Sequence, residues 1–388
     1  MKKALIFDPY AGNIAGAQKV THNVIDIIAN RYKVLVYVRE RKSQHVEEHK
    51  KKSSCKIIPL EKNLSELFGK GTSDSDSKNG LTYKINALFT ILFLNVFFLI
   101  EVLKNKPEIV YTYDPRGLIL CGLFLKLTNV KLVWHLHGPI NYSRLLKKLT
   151  VSIPDEIIVP SNYIKRSIQD VKKDAVVVYN GFDFEEVHKS KGSDVKTLNF
   201  LYVGMLVPHK GLHVILDALC KLENNEIPIK LNVVGDYLGS YSSDYREYIG
   251  NQVNNLPENI VVQFHGWVTD TSYYYNISDV FLFSSVLDGT MSLGNECIRL
   301  RSSEALPTVL IESLAYGVPA IATNAPGVSE IITDVTEGVI IDEAKIEYFI
   351  DAINNTILEL ENYTVNPYKT RERFSIKNMR EKIIGVIY

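Results

Sequence analysis

Residues 302–332 read SSEALPTVLIESLAYGVPAIATNAPGVSEII, and the order of polar and apolar residues in this stretch decides the fold class. Apolar residues recur at helical spacing over 308–316, and Pro307 suits the first turn of a helix. Gly317 is a natural end for that helix, and VPAIAT then predicts a short buried strand. A helix followed at once by a buried strand is typical of α/β proteins with a parallel sheet.

Two carboxylates accompany this helix. Glu304 lies in the loop before it, and Glu312 lies one turn inside it. We expect both at the carboxyl edge of a parallel sheet, where open α/β folds bind ligands. Taken alone, the pair also fits two solvated glutamates on a surface helix, which is the usual position of a glutamate.

The length of 388 residues exceeds one ordinary core and predicts two domains. A composition that is 46% hydrophobic and 23% charged is typical of a globular protein in water. Residues 1–190 carry 29 Lys and Arg against 19 Asp and Glu, and the remainder carries 15 against 25. The basic first half favours an anionic partner or surface for that half.

Strands alternate with helices in two successive sets, which are separated by a polar break near 185–197. This pattern predicts two doubly wound, Rossmann-like domains that face a cleft, over 1–186 and 187–370. Segment 371–388 predicts an amphipathic helix that packs back on the first domain. Residues 40–80 are polar and charged and predict a flexible surface loop.

The cysteines indicate free thiols in a reducing compartment, because they lie far apart without a Cys/His cluster. They are Cys55, Cys121, Cys220 and Cys297. The sequence SDSD at 73–76 falls in a low-complexity loop, so we expect neither a metal site nor a cofactor. The amino-terminal apolar stretch is too short for a secretory signal, which favours a cytoplasmic protein.

The second half carries FLYVGMLVPHKGLHVILDAL, VVGD, FHGWV and EALPTVLIESLAYGVPAIAT in this order. These strings resemble the donor-binding domain of the family-4 retaining glycosyltransferases, which have the GT-B fold. In the first half, AGA, VWHLHG and IVPSNYIKRSI are similar to the phosphate loop, histidine strand and linker strand of that family. The resemblance implies a metal-independent enzyme that transfers a sugar, with retention, from a nucleotide-diphosphate sugar. The implied acceptor is a glycan or a lipid-linked molecule in the assembly of cell-surface polysaccharides or glycoconjugates.

The resemblance assigns catalytic positions. Lys210 in VPHKG matches the lysine that contacts the diphosphate, and Glu304 matches the glutamate that lies against the donor sugar. Glu312 matches the glutamate that binds the ribose. His137 matches a histidine near the transferred sugar, and His135 is an alternative on the same face of the strand.

The other positions that the resemblance assigns to donor binding are Gly16, Gly204, Gly235, Trp267, Val268, Thr308, Val309 and Leu310. Amides at the start of a helix suit a phosphate group. Met205 stands where the family usually has a second cation for the diphosphate, and residues 286–301 are additional to the family pattern. Arg299 or Arg301 in this insertion is expected to supply the missing charge.

Other functions are less consistent with the sequence. There is no basic and aromatic pattern for nucleic acid, and the first loop lacks the G-x-G-x-x-G of dehydrogenases. A sugar-nucleotide epimerase or hydrolase would share two such domains, but the spaced glutamates before a Gly-x-Pro turn favour the transferase. The methionine at 205 leaves open a relative with weakened catalysis.

The run ALFTILFLNVFFLI at 87–100 has no charge and is too short to span a bilayer. As a helix it is apolar nearly all round, so it is either deeply buried, which is the simpler interpretation, or inserted at a membrane interface. The basic run HKKK at 49–52 belongs to the same half. We expect a cytoplasmic enzyme that is peripheral on the inner face of the cell membrane.

Overall fold

The computed structural model describes residues 2–11, 16–68, 80–140, 143–171, 174–184, 197–222, 226–239 and 241–388. The chain divides into two compact units, Met1–Gly181 with Ser375–Tyr388, and Phe182–Phe374. It therefore passes between units at 181/182 and 374/375, where the sequence predicts 186/187 and 370/371.

The first unit contains a seven-stranded sheet in which every pair is parallel, in the order β3-β2-β1-β4-β5-β6-β7. Its strands are β1 Lys3–Phe7, β2 Lys33–Val38, β3 Ser54–Ile57, β4 Ile109–Tyr113, β5 Lys131–His135, β6 Glu156–Val159 and β7 Val176–Val177. Its helices up to this point are α1 Gly16–Ala29, α2 Gln44–Lys52, α3 Glu61–Phe68, α4 Leu81–Asn105, α5 Asp114–Cys121, α6 Arg144–Val151 and α7 Asn162–Ser167. Strand order reverses between β1 and β4, so the unit is doubly wound.

The second unit contains a six-stranded parallel sheet, in the order β10-β9-β8-β11-β14-β15, and a separate antiparallel hairpin of β12 and β13. Its strands are β8 Leu198–Val203, β9 Ile229–Val234, β10 Ile260–Phe264, β11 Val280–Phe283, β12 Gly289–Leu293, β13 Glu296–Leu300, β14 Ala320–Thr323 and β15 Gly338–Ile341. Its helices are α8 Leu212–Cys220, α9 Ser242–Asn254, α10 Ser272–Asn276, α11 Thr308–Ala315, α12 Ile346–Leu358 and α13 Pro367–Arg373. The order again reverses, here between β8 and β11. The two predicted Rossmann-like sheets are confirmed.

The carboxyl-terminal helix, α14 Ile376–Ile387, belongs to the first unit. Ser375 caps it by accepting a hydrogen bond from the amide of Asn378 at 3.1 Å. Met379 and Ile383 on its inner face are buried in the same apolar core as β1 and α1. The predicted single helix over 371–388 is instead two, because the chain leaves helical geometry at Phe374 and restarts after this cap.

The prediction of a surface loop over 40–80 is wrong for the described part of that segment, which contains α2, β3 and α3. α2 buries His45, Val46 and His49, so a sequence that is polar overall still has an inner face. Residues 69–79, with the SDSD sequence, lie outside the described residues. All four cysteines are free thiols, as predicted.

The apolar helix α4 is longer than its uncharged run and is not deeply buried. It contains 25 residues, and within the described chain it is the one helix long and apolar enough to cross a membrane. Only 28% of its apolar window is buried, and Leu88, Phe89 and Phe93 are 57%, 67% and 50% exposed. The interpretation of 87–100 as a buried core helix is therefore wrong.

One glycine, Gly235, allows β8 and β9 to end side by side. Gly235, directly after β9, has φ +145°, and a Cβ there would lie 1.8 Å from the carbonyl oxygen of Gly204. The amide of Gly204 in turn donates to the carbonyl of Val234 at 3.0 Å. No side chain fits between the two backbones, so only glycine suits position 235.

We expect Gly235→Ala to lower the free energy of unfolding by about 1–3 kcal/mol, because it combines a left-handed backbone with a backbone clash. Urea unfolding followed by circular dichroism measures the change. Gly250→Ala is the matched control, since its Cβ would enter open space on helix α9. A Gly235→Ala protein as stable as the control variant would contradict this role of the glycine.

Candidate functional site

A lysine and a glutamate meet beyond the carboxyl ends of β8 and β11, where strand order reverses. Lys210 ends a short turn after β8, and Glu304 follows the β12–β13 hairpin. The Lys210 Nζ and Glu304 Oε1 atoms form an ion pair, and the two side chains are 24% and 12% exposed. In doubly wound sheets this edge is the ligand-binding position.

Two serines directly after β11 hold this pair in place. The Ser285 hydroxyl donates to Glu304 Oε1 at 2.9 Å, and the Ser284 hydroxyl donates to the Lys210 carbonyl at 3.0 Å. Sequence analysis missed both, although a Ser-Ser pair after a buried strand is a recognisable signal for polar groups at a sheet edge. Their contacts leave the glutamate and lysine pre-oriented.

Glu304 is ionised at neutral pH. Burial opposes its ionisation, but the Lys210 ammonium and the Ser285 hydroxyl together hold the pKa of this carboxyl below its usual range. Gly211 enables the approach of the lysine loop, because its φ is +75° and a Cβ would lie 2.0 Å from the carbonyl oxygen of Ser284. The result is a fixed anion beside a fixed cation.

Glu312 lies on α11 and contacts a different loop. Its Oε2 accepts a hydrogen bond from the Thr271 hydroxyl at 3.4 Å. Thr271 closes the loop after β10 that also carries Val268, which is partly buried, and Trp267, which is 64% exposed. Thus Glu312 adjoins the loop of Trp267 and Val268, while Glu304 adjoins that of Lys210. The two predicted glutamates therefore lie at different parts of the same carboxyl edge of the sheet.

The start of α11 separates these two glutamates. Pro307 precedes the helix, and no side chain caps it. The amide of Leu310 donates to the Pro307 carbonyl at 3.2 Å, so of the three amides predicted for a phosphate this one is already engaged. Thr308 and Val309 carry the first two amides of the helix, where the helix dipole favours an anion.

The inserted residues form the β12–β13 hairpin. Its apolar side chains Met291, Ile298 and Leu300 are buried, whereas Arg299 points outward and forms an exposed ion pair with Asp288 at 3.2 Å. The charge partner of Arg299 is therefore Asp288 and not Glu304. Arg301 is exposed and lies directly before Ser302, at the end of the hairpin.

In the first unit, His137 lies two residues beyond β5. Burial lowers its pKa to about 4, so its imidazole is neutral at neutral pH. Its Nε2 is buried and has no hydrogen-bond partner in the described part of the chain, and the same is true of His135 Nε2, although His135 Nδ1 lies 2.9 Å from the Tyr111 hydroxyl. Each histidine therefore keeps one unpartnered buried nitrogen, and His135 stays the alternative to His137. Gly16 is the first residue of α1.

Residues 183–379 match the family described as glycosyl transferases group 1, and residues 14–186 match glycosyltransferase family 4. An uncharacterized glycosyltransferase of Haemophilus influenzae is 24% identical, over 74% of this chain and 78% of its own. The lipopolysaccharide 1,2-N-acetylglucosaminetransferase of Salmonella typhimurium is 26% identical over 61% of this chain. That alignment spans 60% of the Salmonella enzyme, less than two thirds of its length.

Solved structures share the fold. A glycosyltransferase from Rickettsia africae superposes with a TM-score of 0.74 at 20% identity, covering 100% of this chain and 98% of that one. Anabaena HepE in complex with UDP superposes with a TM-score of 0.72 at 16% identity, covering 99% and 98%. These likenesses establish the two-domain architecture.

We expect Glu304→Gln to lower the free energy of unfolding at neutral pH by about 1.5–3 kcal/mol, because a charge-assisted hydrogen bond is lost. The folded-state pKa of Glu304 is depressed, so this contribution is complete above the unfolded value near 4.5 and declines as the pH falls below it. Urea unfolding of both proteins between neutral and acidic pH measures the difference. Glu361→Gln, at an exposed glutamate, is the control. A difference that is independent of pH would contradict the assigned charge state.

Proposed function

Because the chain belongs to the glycosyl transferases group 1 and is a glycosyltransferase, we propose that it transfers a sugar, with retention, from a nucleotide-diphosphate sugar to a lipid-linked glycan acceptor. The observation that carries this proposal is the half-buried Lys210–Glu304 pair at the strand-order reversal, beside the uncapped start of α11. We assign the donor to the second unit and the acceptor to the first.

The chemistry assigns a role to each group. Cleavage of the anomeric bond develops negative charge on the departing diphosphate, which the Lys210 ammonium and the amides of Thr308 and Val309 would stabilise. The sugar ring becomes cationic, and the ionised Glu304 provides the facing negative charge. Glu312 would accept hydrogen bonds from the ribose hydroxyls. No step in this scheme requires a metal ion.

The nucleotide base has a candidate surface in the loop after β10. Trp267 is exposed there and presents an aromatic face on which a base can stack, next to Val268. Glu312 contacts this same loop through Thr271, so ribose and base would bind side by side. Anabaena HepE has been solved with UDP, which makes UDP the first nucleotide to test.

The methionine at 205 leaves Lys210 as the main charge for the diphosphate. Met205 is 40% exposed, and Arg299 is engaged by Asp288, so compensation by the insertion falls to Arg301. The intact lysine–glutamate pair argues against a weakened relative. An epimerase or hydrolase is not favoured, because the matched family consists of transferases.

Exposed apolar helices of the first unit motivate the membrane part of the proposal. Besides Leu88, Phe89 and Phe93 of α4, the short helix α6 exposes Leu145 and Leu149 by 70% and 55%. α6 also carries the exposed Arg144 and Lys148, which suit the anionic headgroups of an inner membrane leaflet, whereas Lys147 pairs with Asp170 at 3.2 Å. Exposed apolar side chains among basic residues fit a peripheral enzyme on the cytoplasmic face with a lipid-linked acceptor.

The basic run at 49–52 contributes less than its sequence indicates. Lys50 and Lys51 pair with Glu47 and Glu48 on the same helix, and Lys52 pairs with Asp26. The remaining member, His49, is buried. We therefore assign membrane attraction to α4 and α6.

A donor screen tests the proposed reaction. Glu312→Ala is expected to raise the Kd for UDP about 10- to 150-fold, since each charge-assisted hydrogen bond contributes about 1.5–3 kcal/mol.

Lys210→Ala is expected to lower turnover at saturating donor by about 100-fold or more, because this lysine acts on the leaving group. Calorimetry and nucleotide release from a panel of nucleotide sugars measure both effects, and NMR of the product gives the anomeric configuration.

Lys221→Ala, at an exposed lysine after α8, is the control for the lysine variant. Unchanged UDP affinity in a folded Glu312→Ala protein would refute the ribose assignment. A Lys210→Ala protein that loses only donor affinity would refute the role of this lysine in the transition state. An inverted product would refute retention.

Liposome co-sedimentation tests the membrane part. The double variant Phe89→Glu/Phe93→Glu is expected to bind anionic liposomes at least about 10-fold more weakly, because each apolar ring contributes about 1.5–3 kcal/mol when buried. Leu358→Glu is the matched control, since Leu358 is 82% exposed in the second unit. If the wild-type protein fails to bind anionic liposomes at low salt while it glycosylates a soluble acceptor, the membrane proposal is wrong.

A further inference from the structure

A cluster of three histidines lies in the first unit. His22 comes from α1, and His45 and His49 come from α2. One ligand atom of each histidine lies within 4.8 Å of the others. Asp8, which directly follows β1, joins them, and all four side chains are buried.

Several distances within the cluster are close to those between the ligand atoms of a coordination shell. His22 Nε2 lies 3.0 Å from His45 Nδ1, and His49 Nε2 lies 3.3 Å from His45 Nε2. Asp8 Oδ2 lies 2.7 Å from His49 Nε2 and also contacts His45 Nε2. In tetrahedral zinc sites with metal–nitrogen distances of about 2.0–2.1 Å, neighbouring ligand atoms are about 3.3 Å apart. His45 faces His22 with Nδ1 and faces His49 and Asp8 with Nε2, so a common centre requires a rotation of the His45 ring.

Hydrogen bonds within the cluster leave some of its buried nitrogen atoms without partners. Nδ1 of His22 and Nδ1 of His49 are buried without a partner in the portion of the chain that the structure describes. Burial of polar groups without hydrogen-bond partners costs free energy. Asp8 alone does not provide a hydrogen-bond partner for every nitrogen of the three imidazoles. A bound cation would be a common partner for the ring nitrogens that face one another, His22 Nε2, His49 Nε2 and one nitrogen of His45, while Nδ1 of His22 and of His49 would carry the ring protons.

The local sequence presents the two α2 histidines on one helical face. HVEEH at 45–49 spaces them by one turn, and the Ser43 hydroxyl caps the helix by accepting from the amide of Val46 at 3.3 Å. This H-x-x-E-H spacing also occurs in one class of metallopeptidase. Here Glu47 and Glu48 face solvent and pair with lysines, so neither can act as a base at the cluster. The arrangement suits a closed structural ion, not a hydrolytic one.

We propose that Asp8, His22, His45 and His49 bind one zinc ion, which fixes α1 and α2 to the end of β1. Three imidazoles and a carboxylate in tetrahedral arrangement favour Zn²⁺, whereas Mg²⁺ and Ca²⁺ prefer oxygen ligands. The site takes no part in the proposed sugar transfer, so this inference does not depend on the proposed function.

The test uses the full-length protein with any histidine tag removed and metal stripped by a chelator. We expect calorimetry to show one Zn²⁺ per chain, and a free zinc concentration 100 times the Kd to lower the unfolded fraction about 100-fold. His22→Gln and His49→Gln should lose this binding and the shift in Tm. His213→Gln, at a histidine of α8 outside the cluster, should keep both. Mg²⁺ should produce no shift.

Cobalt provides a readout that does not need the variants to fold. Co²⁺ added to the stripped wild-type protein should give the intense visible absorption of tetrahedral coordination, which Zn²⁺ then abolishes. A wild-type protein that binds no zinc and gives no such bands would overturn the proposal. Zinc binding that persists unchanged in both histidine variants would also overturn it.

Discussion

The Lys210–Glu304 ion pair is the constraint on which the ligand-binding edge of the second unit depends. Two charges that are largely shielded from water must lie together, because removing either leaves the other buried without a counter-charge. The lysine loop therefore has to reach the end of β11, which it does through Gly211 packed on the Ser284 carbonyl. Hydroxyls at that strand end then orient both partners. Charge pairing and backbone close approach thus fix the edge before any ligand arrives.

Much of this could be predicted, because parallel sheets leave strong local signals. Buried strands such as KALIF and LNFLYV are short apolar runs bounded by glycine, proline or polar residues, and the predicted alternation of strands and helices in two sets is present. The family resemblance points to Lys210 and to Glu304 separately, but it does not predict their pairing, because they are 94 positions apart and only the sheet joins them. The contact of Arg299 could not be predicted from the sequence either, since strand alternation and the ion pair with Asp288 set the direction of its side chain.

The segment around α2 could not be predicted from the sequence either, but the physical reason is different. The periodicity of apolar residues, which predicts the buried face of a helix, counts histidine as a polar residue. The buried face of α2 is therefore not predicted, because His45 and His49 stand among lysines and glutamates. Asp8, which is distant in sequence, accepts a hydrogen bond from each and so offsets part of the cost of burying them. The same long-range contact makes them candidate metal ligands, and the HVEEH spacing is a local signal for them.

The helix α4 illustrates how a few polar atoms decide between two locations for an apolar segment. Its exposed side is apolar enough for hydrocarbon, yet Asn95 on its other side donates to the Ile119 carbonyl and accepts from the Leu123 amide, at 2.9 and 2.8 Å. Glu101 binds Lys56 at 3.0 Å. If α4 left the domain to cross a bilayer, these groups would lose their partners in a medium that offers none, at a cost of several kcal/mol each. The polar contacts therefore keep one side of the helix on the protein and leave its apolar side exposed.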